Sequence, residues 1–530
     1  MIRKLFLFFA LFLAGCLFQG TYAVAQGKYW VFYKDKQGVE FDPYAYFDAK
    51  TISSRKEKGI PLNQYTDMPV RKSYVEEVVQ VAGKPLVTSR WLNASMFRLP
   101  EGSLREIREL PFIKEVRQVA KKSLDIHYDT ILEKADKELM VQQLARFGDS
   151  LFAAHKLDGS GVRIAVFDAG FPGVDENPFF RHLHQQGKII ETYDFVREET
   201  DVYGHNAHGT MVLSCIAGMN QNQRLGLATG ADFLLARTER GIIEPISEEE
   251  NWFQAMEWAD KHGADIISSS LGYTNHRYFK QDMDGKTSLV SKAANIAASK
   301  GMLVVVSMGN EGTSSWQVMG TPADADSVLS IAAIHPSTGI HTPFSSFGLT
   351  ADHRLKPNLT AYGHVIAAGR NRLTQTQGTS FSAPLVAGFA ACVWQKFPQW
   401  NAVKLMEELT HSGDLYPYYD YAHGYGVPQA GYFLLPQKDS MAMKADFNIE
   451  FQQHMIRISL RNSDDLHPGA ASYPYLFYHV ENSKGHLLKY GVAHHKRGQV
   501  LNIRRKDSYS GGILRIFYKG YSAEKDIPTH

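Results

Sequence analysis

Cysteine is nearly absent from this 530-residue chain, which has three: Cys16, Cys215 and Cys392. Two lie beyond the N-terminal leader described below, so at most one disulfide could staple the folded part. Both sit in apolar helical patterns, which read as buried thiols. Neither has the spacing of a zinc site or of a Cys–His nucleophile pair. Net charge is equally scarce. Lys and Arg number 57 against 55 Asp and Glu, leaving +2. A nucleic-acid partner is therefore not expected, because the basic excess that draws one is missing. Away from the N-terminus no apolar run is long enough to cross a membrane. Internal repeats and low-complexity tracts are absent. What remains is an ordinary globular composition, 44% hydrophobic and 21% charged, which can build a large core without disulfides. The length predicts about three domains.

The first residues read as an address. Arg3 and Lys4 precede an apolar run, Leu5 to Gly15, and then Ala23-Val24-Ala25. A basic start, a short apolar stretch and a small-x-small site describe a signal peptide, cut after Ala25. Export to the periplasm, the cell envelope or the extracellular space follows. A second reading stays open. Leu13-Ala14-Gly15-Cys16 has the form of a lipobox, which would leave a lipid anchor on Cys16. The apolar Leu17 and Phe18 that follow weigh against it.

Beyond the leader the pattern changes three times. Residues 26–120 read as strand, helix, strand, helix, strand, a small α+β module. The strands are Tyr29 to Tyr33, Leu86 to Leu99 and Ile113 to Val119. The helices carry Tyr74, Val75, Val78 and Val79, then Leu104, Ile107 and Leu110. Residues 121–140 are charged and poorly patterned, a linker or processing segment. Residues 141–435 alternate short apolar runs with helical stretches. Val162 to Phe167, Phe233 to Ala236, Ile266 to Ser268 and Leu303 to Val306 are the runs; Trp252 to His262 and Leu289 to Ser299 are the helices. That alternation predicts an α/β fold, a parallel sheet with helices on both faces, whose site lies at the carboxyl ends of the strands. Residues 441–530 alternate with period two around Ile456, Ile458 and Leu460, and predict a C-terminal β-sandwich.

Four segments of the α/β part carry chemistry. Ile164-Ala165-Val166-Phe167-Asp168-Ala169-Gly170 is a buried-type strand ending in an acid. His208-Gly209-Thr210 opens a helix of small residues. Gly378-Thr379-Ser380-Phe381-Ser382-Ala383-Pro384 is a serine at a helix start, with Pro384 expected in the first turn. Val304-Val305-Val306-Ser307-Met308-Gly309-Asn310-Glu311-Gly312 is a strand running into a turn. Singly, each has an ordinary structural explanation: a hydrogen-bonded acid, a core histidine, an N-cap serine. Together, in this order, they resemble the subtilisin-like serine proteases, the subtilases, of the bacterial exported type. The resemblance spans roughly residues 141–435.

The resemblance implies a serine endopeptidase. Asp168, His208 and Ser380 would form the triad, and Asn310 with the Ser380 backbone N–H would form the oxyanion hole. Ser269-Ser270-Leu271-Gly272 resembles the family's substrate strand, which would pair with an extended peptide. Ser270, Leu271, Gly272, Met308 and Gly309 are the expected substrate-binding residues. The bulk of Met308 and the charge of Glu311 point to different pocket preferences, and neither is chosen. Lys356-Pro357-Asn358-Leu359-Thr360-Ala361-Tyr362-Gly363 departs from the family's pattern at Asn358 and Tyr362, which puts an ion-binding role of that loop in doubt. No cofactor is expected for catalysis, and the sequence neither shows nor excludes structural calcium. His205 and His208 have the spacing of a helical metal pair, but no third ligand is evident and no metal site is expected. The N-terminal module resembles the family's propeptide, its own inhibitor until removed; an accessory domain that stays attached is the alternative. In the C-terminal part, basic residues outnumber acidic ones, around His494 to Arg497 and Arg504 to Lys506. They read first as a solvated face and second as a patch for an anionic envelope polymer.

Overall fold

Seven parallel strands form the frame on which the candidate residues sit. They are β1 (Arg163–Asp168), β2 (Ile189–Asp194), β3 (Asp232–Arg237), β4 (Ile266–Ser269), β5 (Leu303–Ser307), β6 (Val328–Ile334) and β7 (Leu359–Tyr362), in the spatial order β7-β6-β5-β4-β1-β3-β2. Every neighbouring pair is parallel. Every residue of β4, β5, β6 and β7 is buried, as both faces of such a sheet must be when helices cover them. On one face, Ile164, Val166, Val305 and Ile331 pack with the helices α1 (His208–Ala217) and α4 (Thr379–Lys396). On the other, Phe167 meets Trp252 of α2 (Ser247–Lys261) edge-on, with ring centroids 6.0 Å apart. The Trp252 indole N–H donates to Ser269 Oγ at 2.9 Å. Helix α3 (Leu289–Ser299) follows β4 and has the bounds its periodicity predicts.

This computed structural model describes residues 26–100, 102–118, 134–240, 247–275, 277–436, 447–460, 475–494 and 500–529. The leader, with its alternatives at Ala25 and Cys16, lies outside the described residues. So do residues 121–133 of the expected linker and 495–499 of the C-terminal basic stretch. The rest of that linker is not a linker in structure. Residues 134–140 belong to the helix Lys134–Ala145, which crosses the expected boundary at 140. The buried Gln143 amide explains why: it donates to Leu225 O at 2.9 Å and accepts from Ile366 N at 2.9 Å.

The chain divides into two units. One holds the residues up to Phe41 together with Asn63–Ala120; the other holds Asp42–Leu62 together with Lys121–His530. The first is a four-stranded antiparallel sheet, in the order Val87–Ser89, Ala94–Pro100, Gln26–Tyr33, Ile113–Gln118. The helices Lys72–Ala82 and Ser103–Glu109 bring Val78 and Ile107 onto Tyr29, Val31, Phe97 and Leu99. The run Leu86 to Leu99 is thus a hairpin and not one strand. Asn93 turns it with a φ of 49°, a conformation asparagine tolerates.

The end of the chain forms two antiparallel sheets. Phe447–Phe451, Met455–Leu460 and Val500–Arg504 make one; Leu487–His494, Tyr475–Glu481, Ile513–Tyr518 and Tyr521–Asp526 make the other. Ile456, Ile458 and Ile503 face Leu476, Val480, Leu514 and Ile516 across a shared core. A second apolar cluster, Phe477 and Phe517 against Leu415 and Tyr418, fastens this sandwich to the α/β part. Phe517→Ala should lower the unfolding free energy by about 3–5 kcal/mol through a cavity at that seam, as read by denaturant unfolding.

One buried cation stands apart from the carboxylate-paired ones. Lys356 Nζ donates to Val328 O at 2.8 Å and to Asn358 Oδ1 at 3.2 Å. Burial, and secondarily Arg354, push its pKa down to about 7, against weaker support from Asp324 and Asp326. Unfolded, lysine titrates near 10.4. Between those values the unfolded chain binds the extra proton, so stability rises with pH from about 7 to about 10. Lys356→Met should flatten that rise, a difference that chemical unfolding at pH 7 and pH 10 reads directly.

Candidate active site

The carboxyl ends of β1, β4 and β5 converge on the N-terminus of α4. Asp168, the last residue of β1, is fully buried. Its carboxylate receives the Ala169 N–H at 2.8 Å. His208 Nδ1 lies 2.8 Å from Asp168 Oδ1 and 3.0 Å from Oδ2. Against that carboxylate Nδ1 carries the proton, which leaves Nε2 as the basic nitrogen. The histidine opens α1, with its own N–H donated to Asn206 Oδ1 at 2.9 Å. Gly209 follows because nothing larger fits. A Cβ there would stand 2.4 Å from Gly170 O and 2.8 Å from Asp168 Cβ. The His-Gly pair is therefore what lets a helix start against the end of β1. Burial disfavours the imidazolium, yet the charge and hydrogen bond of Asp168 override it, so the His208 pKa is raised above the ordinary histidine value.

Ser380 is the second residue of α4 and is 9% exposed. Its hydroxyl donates to Ser270 O at 3.3 Å, while the Ser270 hydroxyl donates to Ser380 O at 2.7 Å. Pro384 explains the second bond. It is not in the first turn, as the sequence predicted, but four residues beyond Ser380 inside the helix. Proline has no N–H to return to the carbonyl at i−4, so Ser380 O is left for Ser270. The substrate-strand motif and the nucleophile motif are joined by this exchange.

Asn310 follows β5 and is exposed. Its Oδ1 accepts the Thr379 N–H at 2.9 Å and the Thr379 hydroxyl at 3.0 Å. A backbone N–H can only donate, so the amide orientation is fixed by chemistry and Nδ2 is the end left for a ligand. Gly309 N donates to Thr379 Oγ1 at 3.2 Å, and Glu311 N to Ser346 Oγ at 3.0 Å. The turn is thereby held from both sides.

Of the expected substrate residues, Ser270 and Leu271 are buried and Gly272 is exposed. Gly309 is half-buried and Met308 fully buried. Sequence reasoning missed the acids that brace this strand. Helix α2 starts at Ser247 and not at Trp252, and Glu248, Glu249 and Glu250 in its first turn are buried. Arg277 reaches Glu249 at 2.8 Å and Glu248 at 3.7 Å, and Tyr278 OH donates to Glu249 Oε2 at 2.6 Å. Arg277 also lies over the Tyr273 ring, 4.4 Å from its centroid. Three acids in a row suit a helix N-terminus; the buried Arg277 that pairs with Glu248 and Glu249 leaves no local signal.

His205 has a left-handed φ of 72°, and its Nε2 stands 3.9 Å from Asp194 Oδ2. It precedes α1 and shares no helical face with His208. Among the described residues, no group of three or more His, Cys, Asp or Glu could hold a metal ion. At the Asn358 loop the Lys356 ammonium donates to the Asn358 side-chain oxygen and to Val328 O of β6. Cys215 and Cys392 are buried free thiols, and burial pushes the Cys215 pKa up to about 12. Among the described residues no helix is long and apolar enough to cross a membrane.

The sequence comparisons agree with this frame. Residues 159–426 match the model of the subtilase family, and residues 28–137 match that of a peptidase S8 propeptide domain of Bacteroidota. Subtilisin BL of Lederbergia lenta is 30% identical over 49% of this chain and 87% of its own. Subtilisin DY of Bacillus licheniformis is 28% identical over 52% of this chain and 95% of its own. The solved MycP3 protease of a type VII secretion system is 21% identical with a TM-score of 0.46, over 60% of this chain and 92% of that one. With its family model covering half of the sequence and subtilisins among its relatives, the chain belongs to the subtilase family and is a serine-type endopeptidase.

Proposed function

We propose that the protein is an exported endopeptidase, made as a zymogen that processes itself, with Asp168, His208 and Ser380 as its triad. The observation that carries this reading is the His208–Asp168 pair at the end of β1, with the His208 ring 5.5 Å from that of Phe381, the residue after Ser380 in α4. The Ser380 hydroxyl turns from the Ser270 carbonyl toward the substrate. His208 Nε2 takes its proton, and the oxygen attacks the peptide carbonyl carbon. Asp168 holds the tautomer and stabilises the imidazolium. Negative charge then grows on the carbonyl oxygen. The Asn310 Nδ2–H and the Ser380 backbone N–H at the start of α4 meet it there. Collapse of the intermediate breaks the C–N bond, and His208 returns the proton to the leaving amine. Water repeats the sequence on the acyl-enzyme and frees Ser380. An extended peptide lies along Ser270–Gly272, its backbone paired as an added strand. No cofactor enters any step.

Export is supported by the leader pattern, and zymogen processing by the propeptide match. Cleavage after Ala25 is favoured over a lipid on Cys16. The N-terminal module is read as the chain's own inhibitor.

The test is peptide-library cleavage with purified protein. Ser380→Ala should abolish turnover while leaving folding intact, and Asn310→Ala should lower kcat by about 10²–10³. Cleavage by the Ser380→Ala protein at the wild-type rate would sink the proposal.

The pH profile gives an independent check. Catalysis needs neutral His208, so activity is lost as pH falls through its pKa. That pKa is raised, so the acid limb of kcat/KM should lie above the ordinary value near 6.5. Asp168→Asn removes the charge that raises it. The limb should move to lower pH, with kcat reduced by about 10⁴.

A further inference from the structure

Segment Asp42–Leu62 lies inside the stretch matched by the propeptide model, yet it belongs to the unit that carries the active site. The chain leaves the N-terminal module at Phe41 and re-enters it at Asn63. The segment is therefore an internal loop of that module, not its tail. It forms two short helices, Pro43–Tyr46 and Ala49–Glu57.

What it grips is the turn between α2 and β4. The Asp48 N–H donates to Lys261 O at 3.2 Å. The Thr51 hydroxyl lies 3.1 Å from Asp260 O and 3.0 Å from Lys261 O. Both carbonyls belong to the last turn of α2, where Asp260 O also accepts the Gly263 N–H at 3.3 Å. The segment thus caps a helix of the subtilase unit. Charge complementarity adds to this. Arg55 Nη2 lies 2.7 Å from Asp260 Oδ1, with both side chains only 3% exposed. Arg55 also stacks on Phe47, 4.4 Å from the ring centroid. Lys50 and Lys58 both reach Asp265, at 2.5 and 3.4 Å. Lys58 lies over the Trp394 ring at 4.4 Å. Gly301, with a φ of 87°, leaves room for Ile60; a Cβ there would stand 2.5 Å from Ile60 Cδ1.

We infer that Asp42–Leu62 is a retention strap: a segment of the chain's own N-terminal region whose Lys50, Arg55 and Lys58 dock on Asp260 and Asp265 beside Trp394, which keeps the inhibitor module attached after the peptide link between the modules is cut. The inference rests on reading that module as an inhibitor. A single cut on the C-terminal side of the module leaves the strap in place. The module then departs only when the strap lifts, or when the chain is cut on both sides of it. Desolvated ion pairs and helix-capping bonds that must break together make lifting slow, and interface strength of this kind shows mainly in the dissociation rate.

The test uses the full chain carrying Ser380→Ala, with a recognition sequence for an added site-specific protease placed between Gln118 and Lys134. After that one cut, size exclusion with mass spectrometry follows the N-terminal fragment over time. The fragment should co-elute with the rest of the chain. Lys50→Ala with Lys58→Ala should speed its release tenfold or more. Lys56→Ala should not, because Lys56 lies over the exposed Tyr44 on the same segment. Should the double variant fail to fold, Thr51→Val, which deletes the hydroxyl proton shared between the two α2 carbonyls, should speed release at least threefold. Release at one rate in all variants, or immediate loss of the fragment with the native strap, overturns the inference. Since the tested chain lacks Ser380, a failure of the proteolytic reading appears in the cleavage assay and leaves this readout unchanged.

Discussion

A single missing N–H organises the candidate active site. Pro384 cannot return a hydrogen bond to the Ser380 carbonyl, and the Ser270 hydroxyl takes that acceptor at 2.7 Å. The α4 terminus is thereby tied to the residue following β4. Thr379, one residue earlier, ties the same terminus to Asn310 after β5 through two bonds to Oδ1. Two loops that belong to different strands are thus referenced to one helix end. Asp168 and His208 obtain their relation differently, from the close approach that Gly209 permits. A proline inside a helix ordinarily costs about 3 kcal/mol or more. Here the orphaned carbonyl has a partner, so the lost hydrogen bond, about 1 kcal/mol of that cost, is replaced by the bond that positions Ser270.

The sheet was legible because it is apolar in the way only a doubly covered sheet can be. Leu303 to Val306 and Ile164 to Phe167 are continuous runs, and continuous burial is what the structure has there. The site residues were legible for a related reason: each lies within a few residues of a strand end or helix start, so local sequence encodes most of its geometry. The position of Pro384 was misplaced because sequence gives the order of residues in a helix start but not the residue at which the helix begins. The start of α2 was missed by the same route. The acids suit a helix start, but the burial of Glu248 and Glu249 is legible only once Arg277 is placed beside them.

The strap shows the limit more sharply. Lys50, Arg55 and Lys58 are ordinary surface charges by any local criterion, and Asp260 and Asp265 likewise. Only the fold brings them together, across some two hundred residues. Such pairs carry no periodicity and no motif. They are also poor stabilisers taken singly, since desolvating two charges offsets most of their attraction. What they supply is specificity of place: a basic segment fits an acidic face and little else.

The strap and the active site occupy opposite ends of the same strand. Asp265, which receives Lys50 and Lys58, also accepts the Arg163 N–H at 2.9 Å, where β1 begins. Asp168 ends β1 five residues later. At about 3.3 Å per residue the two ends are roughly 17 Å apart. The charge that raises the His208 pKa is that of Asp168, and the strap stands well away from the carboxyl ends where a substrate would lie. Its influence runs through the chain it holds: so long as Asp42–Leu62 stays docked, the module joined to both its ends remains at a high effective concentration. Retention is then set by strap residues that take no part in the proposed chemistry.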